Sequence, residues 1–233
     1  MLTAVLDLLL PPVCAACGAK GARCCPACLA ELSAHPARRL PHPRPSGLPD
    51  CWSAGPYEGP VRQAVLAYKE RGAVTLATAL AEALAFTAIT AFTALSDTPG
   101  VARALAEGFA VVPVPSARAT VGARGHDPVA RLAVLAARAL RALGLPAHPW
   151  PAALTQARPV ADQAGLSRAQ RAANLAGSLR VSLSANGPPA PHVLLVDDIV
   201  TTGATLAEAA RALRAAGTRV PAAVTVAATR RRS

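Results

Sequence analysis

The stretch VLLVDDIVTTGAT, residues 193–205, combines an apolar strand, two carboxylates and a hydroxyl-rich turn. Four apolar residues run into Asp197 and Asp198, and the turn that follows places threonines on both sides of Gly203. A helical pattern begins directly after the turn. In parallel α/β sheets, ligands bind beyond the carboxyl ends of the strands, where the next helix begins. The stretch therefore predicts an α/β fold with a ligand site at the end of this strand.

The turn itself has the groups that hold a phosphate. The N-terminus of a helix offers free N–H groups and the positive end of its dipole to an anion. Thr201, Thr202 and Thr205 can add hydroxyl donors, and Gly203 lets the backbone approach the anion. The two neighbouring carboxylates can accept hydrogen bonds from vicinal hydroxyls. Together these groups favour a ribose 5-phosphate over a bare anion.

Three other interpretations explain less of the stretch. A Walker B strand would need a GxxxxGK[ST] loop as its partner, and the sequence contains none. A receiver domain would need a longer chain after Asp198 than this sequence has. A simple helix cap accounts for one acid and one threonine but leaves the rest of the run unexplained.

The wider pattern alternates apolar strands with helices. Strands are predicted at 109–115, 192–198 and 219–229. Helices are predicted at 59–72, 75–95, 127–143 and 202–217, and a loop-rich stretch spans 144–190. Continuous apolar strands that alternate with helices are typical of a mostly parallel sheet with helices on both faces.

Composition divides the chain into three predicted parts. Residues 1–35 contain a short amphipathic helix and five of the six cysteines. The opening MLTAVLDLLLPP has no basic residue before its apolar run and contains Asp7, which argues against a signal peptide. Residues 36–51 are rich in proline and arginine and read as a linker. Residues 52–233 form the larger domain, and we expect a soluble cytoplasmic protein with reduced cysteines.

Two CxxC pairs, CAAC (14–17) and CPAC (25–28), predict a metal site. Four thiolates grouped in this way match tetrahedral Zn(II), and a metal explains how so short a segment can be ordered without a core. Cys24 could replace Cys25, and redox-active or inert thiols are the other interpretations. A catalytic zinc is excluded because four sulfurs leave no open position. The predicted ligands are Cys14, Cys17, Cys25 and Cys28.

The chain is strongly basic, with a formal net charge of +11. This charge favours polyanionic partners such as nucleic acid, phosphorylated metabolites or an anionic membrane, although a solvated basic surface explains it equally. The apolar segments fall short of a spanning helix. Only two of the basic residues are lysines, Lys20 and Lys69. The arginines that can neutralise phosphates are Arg131, Arg138, Arg168, Arg171, Arg211, Arg214 and 230–232.

Several segments together resemble one family. The stretch 193–205 is similar to the phosphoribosyl pyrophosphate (PRPP) motif of type I phosphoribosyltransferases. The segments 57–72, 111–118 and 155–181, together with the cysteine pairs, resemble the ComF family (competence protein F, also called amidophosphoribosyltransferase-like) within that superfamily. RGHDP (124–128) stands where members of the family usually carry RGFNQ.

The resemblance implies a role for each matching position. Asp197 and Asp198, as catalytic residues, would bind the ribose hydroxyls directly or through Mg(II). Asp127 would be unfavourable beside a pyrophosphate unless its side chain is turned away. The residues implied to cradle the 5-phosphate are Thr201, Thr202, Gly203, Ala204 and Thr205. Those implied to contact pyrophosphate are Ser116, Arg118, Lys69 and Arg124.

The resemblance also implies a function. It suggests a cytoplasmic, PRPP-binding, phosphoribosyltransferase-like protein that takes part in natural transformation. Its partners would be single-stranded DNA and a competence helicase or other DNA-uptake proteins. The alternative is an active phosphoribosyltransferase of nucleotide or amine metabolism without a DNA role. Both stay open, because the stretch 144–190 occupies the place of an acceptor-recognising hood and shows no clear base-reading pattern.

Overall fold

The computed structural model describes residues 12–116, 127–158, 170, 174–182 and 190–230. Within these ranges the chain forms a six-stranded sheet, a two-stranded sheet and six α-helices. The predicted N-terminal helix lies outside the described residues.

The helices and strands are numbered in chain order. The helices are α1 Pro26–Ser33, α2 Gly59–Glu70, α3 Ala77–Ala94, α4 Pro99–Glu107, α5 Pro128–Ala142 and α6 Ala204–Ala215, with a 3-10 turn, Val74–Leu76, before α3. The strands are β1 Ala37–Arg38, β2 Asp50–Pro56, β3 Phe109–Pro113, β4 Ala147–Pro149, β5 Leu154–Gln156, β6 Leu179–Val181, β7 His192–Val200 and β8 Arg219–Ala228.

The main sheet has the strand order β1-β2-β8-β7-β3-β4. All neighbouring strands are parallel except β1, which pairs with β2 in the antiparallel direction. The strand β7 lies between β8 and β3, and its residues Val193 to Val196 are buried. A central parallel strand is covered on both faces, which explains its continuous apolar run. The predicted α/β fold with a mostly parallel sheet is confirmed.

Two apolar cores lie on the two faces of the sheet. One contains side chains of α1, α2, α3 and α5, and the other contains side chains of α6 and of the small sheet β5-β6. Buried alanines such as Ala81, Ala85 and Ala88 let α3 pack closely against its neighbours. The segment Val74–Ala94 reaches a mean hydropathy of 1.6 and could cross a membrane by length and composition alone. More than half of its most apolar window is buried in the fold, as in a core helix.

The segment predicted as a linker, residues 36–51, is folded against the larger domain. Its strand β1 adds to the edge of the main sheet, and Leu48 is 3% exposed within the core on the α6 face. The Arg214 side chain of α6 donates a hydrogen bond of 2.5 Å to the Gly47 carbonyl. This segment reaches the carboxyl ends of β7 and β8, where it bears on the site described below. The division of the chain into three domains stays a prediction.

Candidate functional site

Three of the predicted site residues meet at the carboxyl end of β7. The Asp198 side chain is buried, and its Oδ2 lies 2.5 Å from Nζ of Lys69 in the last turn of α2. The backbone N–H of Asp198 donates a hydrogen bond of 2.8 Å to Oδ1 of Asp197. Lys69 and Asp198 are 129 positions apart in the sequence, and the packing of α2 brings them together. Among the described residues, the site is thus an acid pair with the Lys69 cation on it.

The acid pair carries more negative charge than its surroundings stabilise. Burial raises the pKa of Asp197 well above its usual range, and the charge of Asp198 acts in the same direction. The hydrogen bond from the Asp198 backbone and the charge of Lys69 lower that pKa but do not compensate. Additional positive charge would therefore be favourable at this strand end.

The predicted phosphate turn connects β7 to α6. Thr201 is exposed, Thr202 and Thr205 are half-buried, and Ala204 is the first residue of the helix. Gly203 stands at the N-cap position with a φ of 74° and has no capping side chain, and the Ala204 N–H donates a hydrogen bond of 3.4 Å to Oγ1 of Thr202. The N–H groups of the first helical turn point out of the helix end beside the acid pair, as an anion site requires.

The structure explains why residue 203 is a glycine, which the sequence alone did not. A Cβ atom at this position would lie 2.8 Å from Cγ of Pro41 and 3.0 Å from Cδ2 of Leu48. Both side chains belong to the segment predicted as a linker. The missing side chain therefore lets residues 36–51 pack against the turn, in addition to any approach of an anion.

A cavity of about 250 Å³ opens beside the turn, and the sequence did not point to it. It lies between the ends of β7 and β8 and contains two guanidinium groups, from Arg39 and Arg230. Burial lowers the pKa of Arg39, and the charge of Arg230 lowers it further. Both side chains are engaged: Arg39 donates to the backbone carbonyls of His35 and Ser53, and Arg230 forms an ion pair with Glu58 at 3.4 Å. Its lining residues are Arg39, Leu40, Pro41, Val200, Thr201, Ala228, Thr229 and Arg230.

Asp127 is half-buried and holds the segment after β3. Its carboxylate accepts hydrogen bonds from the Ser116 backbone N–H (3.1 Å) and the Ser116 hydroxyl (2.9 Å). It also caps α5 by accepting from two backbone N–H groups at 2.9 and 3.2 Å. The acid that departs from the family pattern is thus neutralised by donors, and the Ser116 hydroxyl is engaged. Arg118 and Arg124 lie outside the described residues.

The cysteine segment forms a candidate metal centre. Sγ atoms of four cysteines lie within 4.8 Å of one another, and those of Cys17 and Cys25 are 3.7 Å apart. Tetrahedral Zn(II) with bonds near 2.3 Å places its sulfurs about 3.8 Å apart. The cluster therefore fits zinc, and its members are Cys14, Cys17, Cys25 and Cys28.

The thiols of this segment differ in how readily they ionise. Burial acts to raise the pKa of Cys14, but backbone hydrogen bonds, the largest from Cys25, lower it to about 6. Burial raises the pKa of Cys24 to about 11, with the neighbouring thiolates acting in the same direction. The structure groups Cys25 rather than Cys24 with the other three cysteines. Cys24 lies beside the cluster as a protonated thiol.

Comparison with known proteins gives one match. Residues 132–233 match the family model described as phosphoribosyl transferase domain. The match covers less than half of the chain and includes β7, the acid pair and the turn into α6. No curated protein matches the chain.

Proposed function

We propose that this chain binds PRPP, or a closely related ribose 5-phosphate compound, at the carboxyl end of β7. The observation that carries the proposal is the acid pair, with Lys69 on it, directly before the phosphate turn. A ligand with vicinal hydroxyls and a phosphate uses both parts, and pyrophosphate supplies the negative charge that a lysine and a divalent cation neutralise. The match to the phosphoribosyl transferase domain supports this choice.

In this proposal, different described residues bind different parts of the ligand. Asp197 and Asp198 bind the ribose hydroxyls, or Mg(II), because two carboxylates with excess negative charge suit a hard cation. The helix N-terminus with Thr201, Thr202 and Thr205 binds the 5-phosphate. Arg39 adds positive charge at the outer side of the turn, where the charge of Arg230 is offset by Glu58.

A transferase reaction would use the same groups. The bond from ribose C1 to pyrophosphate would break as an acceptor's lone pair forms a new bond to C1. Lys69, released from Asp198 when Mg(II) arrives, would be placed to stabilise the leaving charge. Arg118 and Arg124 complete the proposed pyrophosphate contacts, and Ser116 joins them by exchanging its hydrogen bonds to Asp127 for the ligand. Transfer to an acceptor of nucleotide or amine metabolism is the alternative to binding alone.

Thermal unfolding with and without Mg-PRPP tests this proposal. A ligand at 100 times its Kd stabilises by about 2.7 kcal/mol, which corresponds to roughly 5–10 °C in Tm for a domain of this size. We expect this shift for the wild type and no shift for Asp198→Ala combined with Thr202→Ala. The matched control, Thr93→Ala with Asp97→Ala, alters two exposed positions and should keep the full shift.

The absence of any wild-type shift at millimolar Mg-PRPP would overturn the proposal. A shift without pyrophosphate release, measured over a panel of bases and amines, would assign the chain as a binder. Release with one acceptor would assign it as a transferase.

We further propose, on the resemblance to the ComF family, a cytoplasmic role in handling single-stranded DNA during natural transformation, with a competence helicase or other DNA-uptake proteins as partners. One surface favours it. Arg131, Arg138 and Arg141 are exposed on α5, which has no acidic residue. Other predicted arginines are engaged: Arg211 pairs with Glu208 and Arg214 bonds to backbone carbonyls. The helix α5 is therefore the described surface best suited to a phosphate backbone.

Titration of single-stranded DNA at several salt concentrations tests this second role. Each phosphate contact to a single strand contributes about −0.7 to the slope of log K against log salt. We expect replacement of the three α5 arginines by glutamine to flatten the slope by about 2. Arg103→Gln, an exposed arginine on α4, is the control and should leave it unchanged. If the wild type does not bind at low salt, the DNA role is wrong.

A further inference from the structure

The last turn of α2 and the residue after it contact three separate parts of the molecule. The Tyr68 hydroxyl donates a hydrogen bond of 2.9 Å to the Pro128 carbonyl at the start of α5. Lys69 forms the ion pair with Asp198. Arg71 donates through one Nη to the Ala15 carbonyl, at 3.2 Å, inside the first CxxC pair. This short segment therefore joins the cysteine cluster to the acid pair.

Packing reinforces these contacts. Cys14 and Cys28 are 2% and 4% exposed and belong to the same apolar core as Val65 and Tyr68 of α2. The helix α1, which begins directly after Cys25, packs against α2 and α3. The same Nη of Arg71 also donates 3.1 Å to the Gln63 carbonyl, so the side chain bridges α2 and the cysteine segment. The cluster is thus part of the support of α2.

We infer that the cysteine cluster, when it holds its metal, positions Lys69 at the acid pair through Arg71 and the buried face of α2. Segments of this size depend on the metal for their order, because they have too few apolar residues to stay folded alone. Loss of the metal frees the first CxxC turn, removes the Ala15 acceptor from Arg71 and loosens the end of α2. Lys69 then leaves Asp198 more often. Zinc thereby controls the cation at the proposed PRPP site, and Arg71 is a positioning residue.

The scarcity of lysine makes this coupling measurable without any substrate. Lys69 and Lys20 are the only lysines in the chain, and Lys20 is exposed. An N-hydroxysuccinimide ester acylates an amine only when the amine is free of its ion pair. Mass spectrometry of a time course then gives the acylation rate of Lys69 relative to an added amine standard, because Lys20 lies inside the cysteine segment, where it pairs with Val13, and responds to metal loss itself. This ratio reports how often Lys69 is released from Asp198.

Two matched pairs of variants test the loss of the metal and the loss of the Arg71 contact separately. Cys25→Ser removes one of the four clustered sulfurs, whereas Cys24→Ser removes the neighbouring thiol outside that group. Arg71→Gln removes the bridge, whereas Arg62→Gln alters an arginine of the same helix whose guanidinium lies over the Tyr57 ring instead. Arg71→Lys keeps a donor and should retain part of the wild-type protection, with acylation at position 71 distinguished from that of Lys69 by peptide fragmentation. Metal content is measured on every variant.

We expect the relative acylation rate of Lys69 to rise about 5-fold or more in Cys25→Ser and Arg71→Gln, the lower end of typical coupling between sites. It should stay unchanged in Cys24→Ser and Arg62→Gln. Zinc should be lost from Cys25→Ser and retained by Arg71→Gln. An unchanged rate in zinc-free, folded Cys25→Ser would overturn the inference, and so would retention of the wild-type rate by Arg71→Gln.

The effect of zinc on ligand binding rests on the proposed function. The experiments distinguish a failure of the coupling to zinc from a failure of the PRPP proposal. If Mg-PRPP changes neither Tm nor the acylation of Lys69 in the wild type, the PRPP proposal fails while the coupling to zinc stands on the ligand-free rates. If Mg-PRPP binds and the ligand-free rates do not respond to the variants, the coupling fails alone. Thermal unfolding of each variant confirms that the acylation is measured on folded protein.

Discussion

Replacing Gly203 with alanine is expected to destabilise the protein by roughly 2–4 kcal/mol. A left-handed backbone conformation, here with φ at 74°, costs an L-residue about 1–2 kcal/mol. The new methyl group would also lie 2.8 Å from Pro41 and 3.0 Å from Leu48, and such overpacking typically costs about 1–3 kcal/mol. Relief of these close contacts would displace residues 36–51 from the turn. Urea unfolding measures the loss.

Gly217→Ala is the matched control for this substitution. Gly217 follows α6 with a φ of 84°, and a Cβ there meets no atom within 4 Å. It therefore carries the backbone cost without the steric one, and we expect a loss of about 1 kcal/mol. Equal losses at the two positions would show that Pro41 and Leu48 move aside without cost. In that case residues 36–51 do not support the phosphate turn.

The parallel sheet could be predicted because its signal is local. Strands β3, β7 and β8 are buried on both faces, so each appears in the sequence as an uninterrupted apolar run. Helices α5 and α6 lie between these strands in the chain, and α2 and α3 precede β3; all four show periodic or continuous apolar patterns of helical length. These apolar runs indicate neither the order nor the register of the strands. The fold class could still be predicted from them because it does not depend on the register.

Residues 36–51 could not be predicted in the same way. Their apolar side chains stand singly between prolines and arginines, so no period of two or of 3.6 residues develops. What orders the segment is distant in sequence: Leu48 packs in the core of α6, and Pro41 contacts the turn at Gly203. Composition predicts a flexible linker here because it reflects only the residues of the segment itself and not their contacts with distant parts of the chain.

The candidate site was predictable as a position and only partly as a set of contacts. The end of an apolar strand marks where Asp197 and Asp198 lie, since parallel strands place their ligand sites there. The orientation of side chains is not encoded in that pattern. The contact of Lys69 with Asp198 and the capping of α5 by Asp127 were not predicted, and the implied contact of Lys69 with pyrophosphate stays a prediction. Both observed contacts follow from packing around α2 and α5.

Replacing Lys69 with methionine should destabilise the ligand-free protein by about 3 kcal/mol near neutral pH. The substitution leaves the buried Asp198 carboxylate without the cation that lies 2.5 Å from it, beside a second carboxylate. Loss of one partner of a buried pair costs about 3–5 kcal/mol, and the partial exposure of Lys69 places this case at the lower end. Methionine retains most of the side-chain volume, so packing changes little. Urea unfolding in magnesium-free buffer measures the loss.

The loss should grow with pH, which separates electrostatics from packing. Burial and the charge of Asp198 raise the pKa of Asp197 in the folded protein, so Asp197 binds its proton more tightly folded than unfolded. Such a group favours folding below its unfolded pKa, and that contribution is lost as pH rises from about 4 through the folded value. Lys69 lowers the folded value, so its removal widens the pH range over which stability falls.

The double variant Lys69→Met with Asp198→Asn decides the cause. It removes the unpaired charge, keeps the shape of the side chain and takes away the charge of Asp198, which raises the pKa of Asp197 after burial does. We therefore expect it to recover most of the stability that Lys69→Met loses, and to flatten the dependence on pH. A loss that is the same at pH 5 and pH 8 and persists in the double variant would instead trace the effect to the packing of α2. That outcome would mean that Lys69 does not stabilise the acid pair, and it would remove the charge argument that links α2 to the proposed PRPP site.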